Sequence, residues 1–257
     1  MFVLEVRNLR YAYPDGTPAL EGVNLALEPG EKTALVGANG SGKSTLLLHL
    51  TGCLGPDSGE ILLDGRPLGD DVDRARRMVG MMFQEPDDQL FMPTVLEDVA
   101  FAPRASGTPP REAAEKAAEM LERLGISHLA SRPPHRLSGG EKRMVALAGI
   151  LVSDPEVLVL DEPSASLDPR SRRMIIATLQ RMKLPMILAT HDLDMAMDVC
   201  STATILAHGK SVLRGALPEL FHREETLERW GLELPLSIRP GESSEERREG
   251  EKTILSA

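Results

Sequence analysis

The 257 residues have room for one large α/β domain with an inserted subdomain, and with 42% hydrophobic but only 3% aromatic residues its core must be aliphatic. A formal net charge of −10 argues against a general nucleic-acid binder, which usually carries a basic excess, so no nucleic-acid partner is expected. The charges among Met1–Arg7 are not those of a signal peptide, and no run approaches the ~18 apolar residues that span a bilayer, so any work at a membrane must go through partners.

Residues 2–7 and 22–28 alternate enough for two β-strands, with Tyr11-Ala12-Tyr13-Pro14-Asp15-Gly16 as the turn between them. Tyr13 either caps the sheet edge or offers its ring face to an adenine, a contact worth about 1 kcal/mol; taken alone it favours the first. Lys32-Thr33-Ala34-Leu35-Val36 reads as a buried strand and Leu46–Leu50 as the start of a helix. Between them, Gly37-Ala38-Asn39-Gly40-Ser41-Gly42-Lys43-Ser44-Thr45 fits the phosphate loop G-x-x-x-x-G-K-[ST] in the strand–loop–helix setting that motif needs. Its glycines let successive backbone N–H groups turn inward around phosphate oxygens, and the helix N-terminus adds partial positive charge. Lys43 can reach the β- and γ-phosphates, and the Ser44 hydroxyl can ligate Mg²⁺.

Gly55–Gly59 reads as a turn, Ile61–Leu63 as a strand, residues 72–80 as a short solvated helix and Gly80–Phe83 as another strand. Pro86 ends that strand, and Gln84–Phe91 becomes a polar loop with an apolar tip at Leu90 and Phe91. Residues 95–150 read as a helical insertion, with Arg111–Leu124 bounded by Thr108-Pro109-Pro110 and Gly125. Leu137-Ser138-Gly139-Gly140-Glu141-Lys142-Arg143 opens a further helix, whose start is a second candidate anion site, weak as a lone motif.

Val157–Leu160 is a continuous apolar run ending in Asp161 and Glu162, which marks a central parallel strand with ligands expected at its carboxyl end. Asp161 is placed to hold Mg²⁺ directly or through water, and Glu162 to orient or deprotonate an attacking water. A strand leaving the core for a polar turn explains one carboxylate more readily than two. Ser164–Pro169 follows as a loop, then a basic amphipathic helix over 170–183 and a buried strand, Met186–Thr190, ending in His191. A lone histidine there is usually structural; beside the phosphate loop and the Asp-Glu pair, a γ-phosphate contact is favoured. Residues 203–207 and 210–214 predict a hairpin around His208-Gly209, and from about 240 the polar composition predicts a mobile tail.

Together these segments resemble the ATP-binding subunit of ATP-binding cassette (ABC) transporters, over roughly residues 2–225. The motifs stand in the family's order: Tyr13, the phosphate loop at 37–45, Gln84, Leu137-Ser138-Gly139-Gly140, Asp161-Glu162, the loop at Leu167-Asp168, and His191. Glu141 departs from the glutamine usual after Ser-Gly-Gly. Phe83-Gln84-Glu85-Pro86-Asp87-Asp88-Gln89-Leu90-Phe91 and Tyr13-Pro14-Asp15-Gly16 are similar to the ATPases of energy-coupling factor importers, most of all the cobalt and nickel members; Glu85 stands where many of these carry Asn.

The resemblance implies an α/β P-loop ABC ATPase domain at 1–225, with a mainly parallel core sheet, an antiparallel β subdomain and an inserted α-helical subdomain at about 95–150. A C-terminal extension would occupy 226–257. It implies two copies, or a pair of similar ATPases, with ATP bound on Lys43, Ser44 and Thr45 of one and covered by Ser138, Gly139 and Gly140 of the other. Ser44, Gln84 and Asp161 would hold Mg²⁺, Glu162 would polarise the water, and His191 would hold the γ-phosphate. The loop after Gln84 would pass the motion to a membrane coupling subunit, beside a substrate-binding membrane subunit, placing the chain peripherally on the cytoplasmic face. Asp87 and Asp88 would meet basic residues there, with Leu90 and Phe91 filling a groove; the lesser alternative for both aspartates is a solvated loop. The six histidines do not cluster at metal-ligand spacing with each other or with Cys53 and Cys200, which also form no disulfide framework and fit a reducing compartment. Rival readings are an importer for another solute such as a vitamin, and a soluble ABC ATPase serving iron–sulfur cluster assembly.

Overall fold

The structure, a computed structural model, describes residues 2–69, 71–221, 224–235 and 237. The polar stretch from about 240 lies outside them. Two long strands, β1 (Leu4–Ala12) and β2 (Pro18–Leu27), pair antiparallel. The turn expected at residues 11–16 is shifted, because Tyr11 and Ala12 stay extended opposite Leu20 and Pro18. Reversal falls instead to Tyr13–Thr17, where the Tyr13 N–H donates to the Thr17 carbonyl at 2.9 Å and the Gly16 N–H to that of Tyr13 at 2.8 Å.

Strand β3 (Lys32–Val36) runs through the phosphate loop into α1 (Lys43–Leu50), one turn earlier than the apolar run indicates. Strands β4 (Ser58–Leu63) and β5 (Arg66–Pro67) complete an antiparallel sheet ordered β2-β1-β4-β5. Helix α2 (Val72–Met78), capped by the Asp71 side chain, delivers the chain to β6 (Val79–Met82). Helices α3 (Val95–Ala105), α4 (Pro110–Arg123) and α5 (Gly139–Leu151) come next. After them alternate β7 (Val157–Asp161), α6 (Pro169–Arg181), β8 (Met186–Thr190), α7 (Leu193–Val199), β9 (Thr202–Ala207) and β10 (Lys210–Ala216). Short helices α8 (Leu217–Phe221) and α9 (Glu224–Arg229) follow.

The second sheet is ordered β10-β9-β3-β8-β7-β6 and is parallel throughout except for the β9–β10 hairpin. Its central strands are buried on both faces, as continuous apolar runs require. Alternation then sorts their side chains into two cores. Ala34, Val36, Leu158, Leu160 and Leu188 join the layer of helices α3 to α9. Leu35, Val157, Val159, Ile187 and Ala189 face α1 and the antiparallel sheet. In α4 the buried residues Ala113, Ala117, Met120 and Leu121 recur at helical spacing and form one stripe against that helical layer. Parallel order places the carboxyl ends of β3, β6, β7 and β8 on one edge, and the phosphate loop, Gln84, Asp161-Glu162 and His191 lie at or just beyond those ends, whereas Ser138, Gly139 and Gly140 open α5 away from any strand.

Candidate nucleotide site

A cavity of about 450 Å³ opens at this edge. Tyr13, Asn39, Gly40, Gly42, Lys43, Ser44, Thr45, Gln84, Asp161, Glu162 and His191 line it, joined by Thr17, Pro18 and Ala19 of the β1–β2 turn. Those last three carry no chemical motif, and only their nearness to Tyr13 could have marked them.

The loop is shaped for anions. Gly42 has φ 102, and a Cβ there would sit 2.7 Å from the Ala19 carbonyl, so both conformation and space demand glycine. Gly37 is not a lining residue; a Cβ on it would strike the Leu206 carbonyl and Ser41 Oγ, so its part is to let the loop run close against β9. Ser41 also lies behind the wall, 5% exposed. Lys43 is buried and donates to the carbonyls of Gly37 at 2.8 Å and Ala38 at 3.2 Å. Burial lowers its pKa, while the neighbouring Glu162 and Asp161 charges act to raise it.

Asp161 ends β7 with 4% exposure, and its Oδ1 is buried without a hydrogen-bond partner among the described residues. Burial pushes its carboxyl above the usual range; a hydrogen bond with Ser44 opposes that, the Glu162 charge adds to it, and Lys43 opposes it again. An orphaned carboxylate oxygen beside a hydroxyl, with the exposed Gln84 on the same cavity, is an oxygen donor set that suits Mg²⁺.

Glu162 is held from every side. Its backbone is left-handed at φ 46, a conformation costing about 1–3 kcal/mol in a residue with a side chain. Its N–H donates to the Ala189 carbonyl at 2.9 Å. The Thr190 hydroxyl donates to Oε2 at 3.0 Å, the His191 N–H donates to Oε1 at 3.0 Å, and His191 Nδ1 lies 2.8 Å from Oε1. The imidazole is itself 65% exposed at the cavity mouth. Tyr13 stands opposite, 39% exposed, with its hydroxyl 2.8 Å from Thr45 Oγ1 and its ring edge-to-face with Tyr11.

Ser138, Gly139 and Gly140 do not line the cavity. Ser138 and Gly139 are exposed at the start of α5, and Gly140 packs so tightly on α6 that a Cβ would meet Ser171 Oγ. Ser138 and Glu141 form a reciprocal cap: Ser138 Oγ accepts from the Glu141 N–H at 3.3 Å, and the Ser138 N–H donates to Glu141 Oε2 at 2.7 Å. That bond, before any other cause, holds the Glu141 carboxyl below its usual value.

The loop after Gln84 is built by long-range contacts. Gln89 accepts from the Phe83 N–H and donates to the Met81 carbonyl, closing the turn. Asp87 pairs with Lys142 of α5 at 2.6 Å, so one of the two aspartates is engaged within the chain itself. At the tip, Leu90 packs partly on the helical core while Phe91, 62% exposed, stacks edge-to-face with Phe101. Asp98, buried in α3, accepts the Phe91 and Met92 N–H groups at 3.1 Å each and fixes that tip. Nothing in the sequence around Asp98 distinguishes it from a surface helix carboxylate.

Comparison with known proteins agrees with this geometry. The family model described as ABC transporter matches residues 20–165. The chain is 45% identical over 239 residues to the energy-coupling factor transporter ATP-binding protein EcfA of Methanothermobacter thermautotrophicus, covering 91% of this chain and 77% of that one. It is 44% identical to EcfA of Methanosphaera stadtmanae, covering 91% and 86%. Among solved structures it matches cbiO1 of Clostridium perfringens, described as part of the ABC transporter complex cbiONQ. That match has a TM-score of 0.79 and 36% identity and covers 98% of this chain and 99% of that one. With its phosphate loop, carboxylate pair and serine-glycine helix start on this fold, the chain belongs to the ATP-binding subunits of ABC transporters, of the energy-coupling factor type, ATPases coupled to transport.

Proposed function

We propose that this chain is the ATP-hydrolysing subunit of an importer of cobalt or nickel ions, paired with a second copy or a similar ATPase at the cytoplasmic face of the membrane. Its partners there are an integral coupling subunit and a substrate-binding membrane subunit. The observation that carries the hydrolytic reading is the convergence of Lys43, Asp161, Glu162 and His191 on one cavity with Glu162 rigidly held. The paired ATPase rests on the helix start at Ser138-Gly139-Gly140, which lies outside that cavity with Ser138 and Gly139 exposed, and which in this reading covers phosphates only when supplied by another copy. The importer reading rests on the EcfA relatives and on the cbiO1 structure. The metal cargo rests on the residues around Gln84-Glu85-Pro86. No helix among the described residues is long and apolar enough to cross a membrane, so the cargo's path belongs to partners.

In this reading the backbone amides of residues 40–45 and Lys43 hold the phosphates, with the Tyr13 ring beside the adenine. Ser44, Gln84 and Asp161 would hold Mg²⁺, which neutralises charge on the β- and γ-phosphates when bound. Glu162 orients a water and takes its proton as the oxygen attacks the γ-phosphorus and the bond to the β-phosphate oxygen breaks. His191, hydrogen-bonded to Glu162, steadies the γ-phosphate. Asp88 and the Phe91–Phe101 pair are the surfaces offered to the coupling subunit.

Uptake of radiolabelled cobalt and nickel is the test, in cells making the neighbouring membrane proteins with either this chain or its Glu162→Gln form. Uptake of one metal that vanishes with the variant is the expected result. Uptake of neither, with the ATPase itself active, would move the assignment to another solute or to a soluble scaffold.

A further inference from the structure

Arg143 lies in the second turn of α5 and is 4% exposed, a rare setting for a guanidinium; both terminal nitrogens are used, while Nε has no hydrogen-bond partner among the described residues. Nη1 donates to the carbonyl of Gln84 at 3.1 Å and of Glu162 at 3.3 Å, and Nη2 to that of Ala165 at 2.5 Å. These acceptors come from two separate segments: Gln84 at the exit of β6, and Glu162 and Ala165 in the loop that joins β7 to α6. Burial works against the charge, and the Glu85 and Glu162 carboxylates work in its favour. Two residues in the segments it holds, Glu162 at φ 46 and Ser166 at φ 59, are left-handed, so this backbone needs outside support to stay where it is. One residue before it, Lys142 clamps Asp87 at 2.6 Å, so consecutive residues of α5 both grip the segment that starts at Gln84.

We propose that Arg143 is a positioning residue for ATP hydrolysis: its guanidinium fixes the peptide carbonyls of Glu162 and Gln84, and so ties the helix that opens with Ser138-Gly139-Gly140 to both. A planar guanidinium holds the three carbonyls at fixed angles through its two terminal nitrogens, whereas a lysine ammonium at the same place is a single point. The inference rests on the reading of Glu162 as the group that activates water.

Arg143→Lys and Arg143→Gln are made in the full chain, alone and with Glu162→Gln. Turnover at saturating ATP, KM for ATP and nucleotide affinity are measured, with amide hydrogen exchange over 162–166 as a readout independent of activity. Expected is a kcat lower by roughly 10- to 100-fold with KM and affinity nearly unchanged, as small misplacement of a catalytic group produces. Exchange over 162–166 should quicken while β3 stays protected, and in the double variants the Arg143 change should cost nothing beyond Glu162→Gln alone. Losses that multiply, a kcat within twofold of the parent, or a KM rising in step would each overturn the role. Near-parental turnover in Glu162→Gln alone would instead remove the reading of Glu162, and this inference with it. Glu162→Gln inactive beside a fully active Arg143→Lys would remove only the inference.

Discussion

Lys43 and Glu162 reach one cavity from the ends of neighbouring elements, yet their surroundings assign them different work. Lys43 spends its donors on the Gly37 and Ala38 carbonyls of its own loop, a weak use of a buried ammonium that phosphate oxygens would improve. Lys43→Ala should therefore weaken nucleotide binding itself, by about 10- to 100-fold for a charge-assisted contact. The Glu162 carboxylate accepts from the Thr190 hydroxyl and the His191 N–H, bonds that aim it within the cavity. Glu162→Gln should keep ATP affinity, lower turnover by roughly 10²–10⁴-fold and trap an ATP-bound dimer. Titrating a fluorescent ATP analogue into each variant, beside a phosphate-release assay, separates the two. Unchanged affinity in Lys43→Ala would sink the phosphate-loop assignment. The residue scale is also where the sequence is least informative about Arg143 and Asp98. Each is a charged side chain on a helix, and such residues are ordinarily solvated; their burial comes with partners 59 and 7 positions away.

Among elements, the strands that were legible are those with the fewest alternatives. β3, β7 and β8 are five-residue strands, buried but for Lys32 and built on apolar runs of three or four residues, and that continuous pattern admits little else. By contrast, α7 has only seven residues directly after His191, too short for helical spacing to repeat, and no periodicity betrays it. What makes it a helix is a contact network. Asp192 caps it by accepting the Met195 N–H at 2.9 Å, and takes two bonds from Arg172 of α6, Nε at 2.9 Å and Nη2 at 3.0 Å. Burial raises the Asp192 pKa, but the bonds from Arg172 and Met195 and the Arg172 charge outweigh it and leave the carboxyl below 3.8. A folded-state pKa below the unfolded one means stability that is present above about pH 3.8 and lost as pH falls through the lower, folded value. Asn caps a helix about as well as Asp, so Asp192→Asn should cost only the charge paired with Arg172, about 1 kcal/mol at neutral pH, and the gap from the parent should close as pH falls below 3.8. Urea unfolding followed from pH 7 down to pH 3 reads this directly. A gap that persists unchanged into acid would show that the charge on Asp192 and its pair with Arg172 contribute nothing.

At the scale of the whole molecule, the six-stranded sheet divides the protein into a helical core and a core shared with the antiparallel sheet, and the candidate nucleotide cavity sits on the edge common to both. ATP bound there should stabilise the fold as a unit, and the two cysteines provide a way to watch it. Cys53 is exposed just beyond α1, whereas Cys200 is buried in the helical core at the end of α7. Burial pushes the Cys200 thiol up to about 12, partly offset by Lys32, so at pH 8 only about 10⁻⁴ of it is the thiolate that reacts. An alkylating reagent at pH 8 should modify Cys53 at once and Cys200 only through opening of the core. In the Glu162→Gln form, where ATP is not consumed, a hundredfold excess of ATP over its dissociation constant adds about 2.7 kcal/mol to stability. If opening at Cys200 is global, its alkylation should then slow about 100-fold while that of Cys53 is unchanged. Slowing by only a small factor would mean that α7 opens by itself, as a unit separate from the sheet edge that holds the nucleotide. Equal rates at the two cysteines would refute the packing of α7 against the helical core.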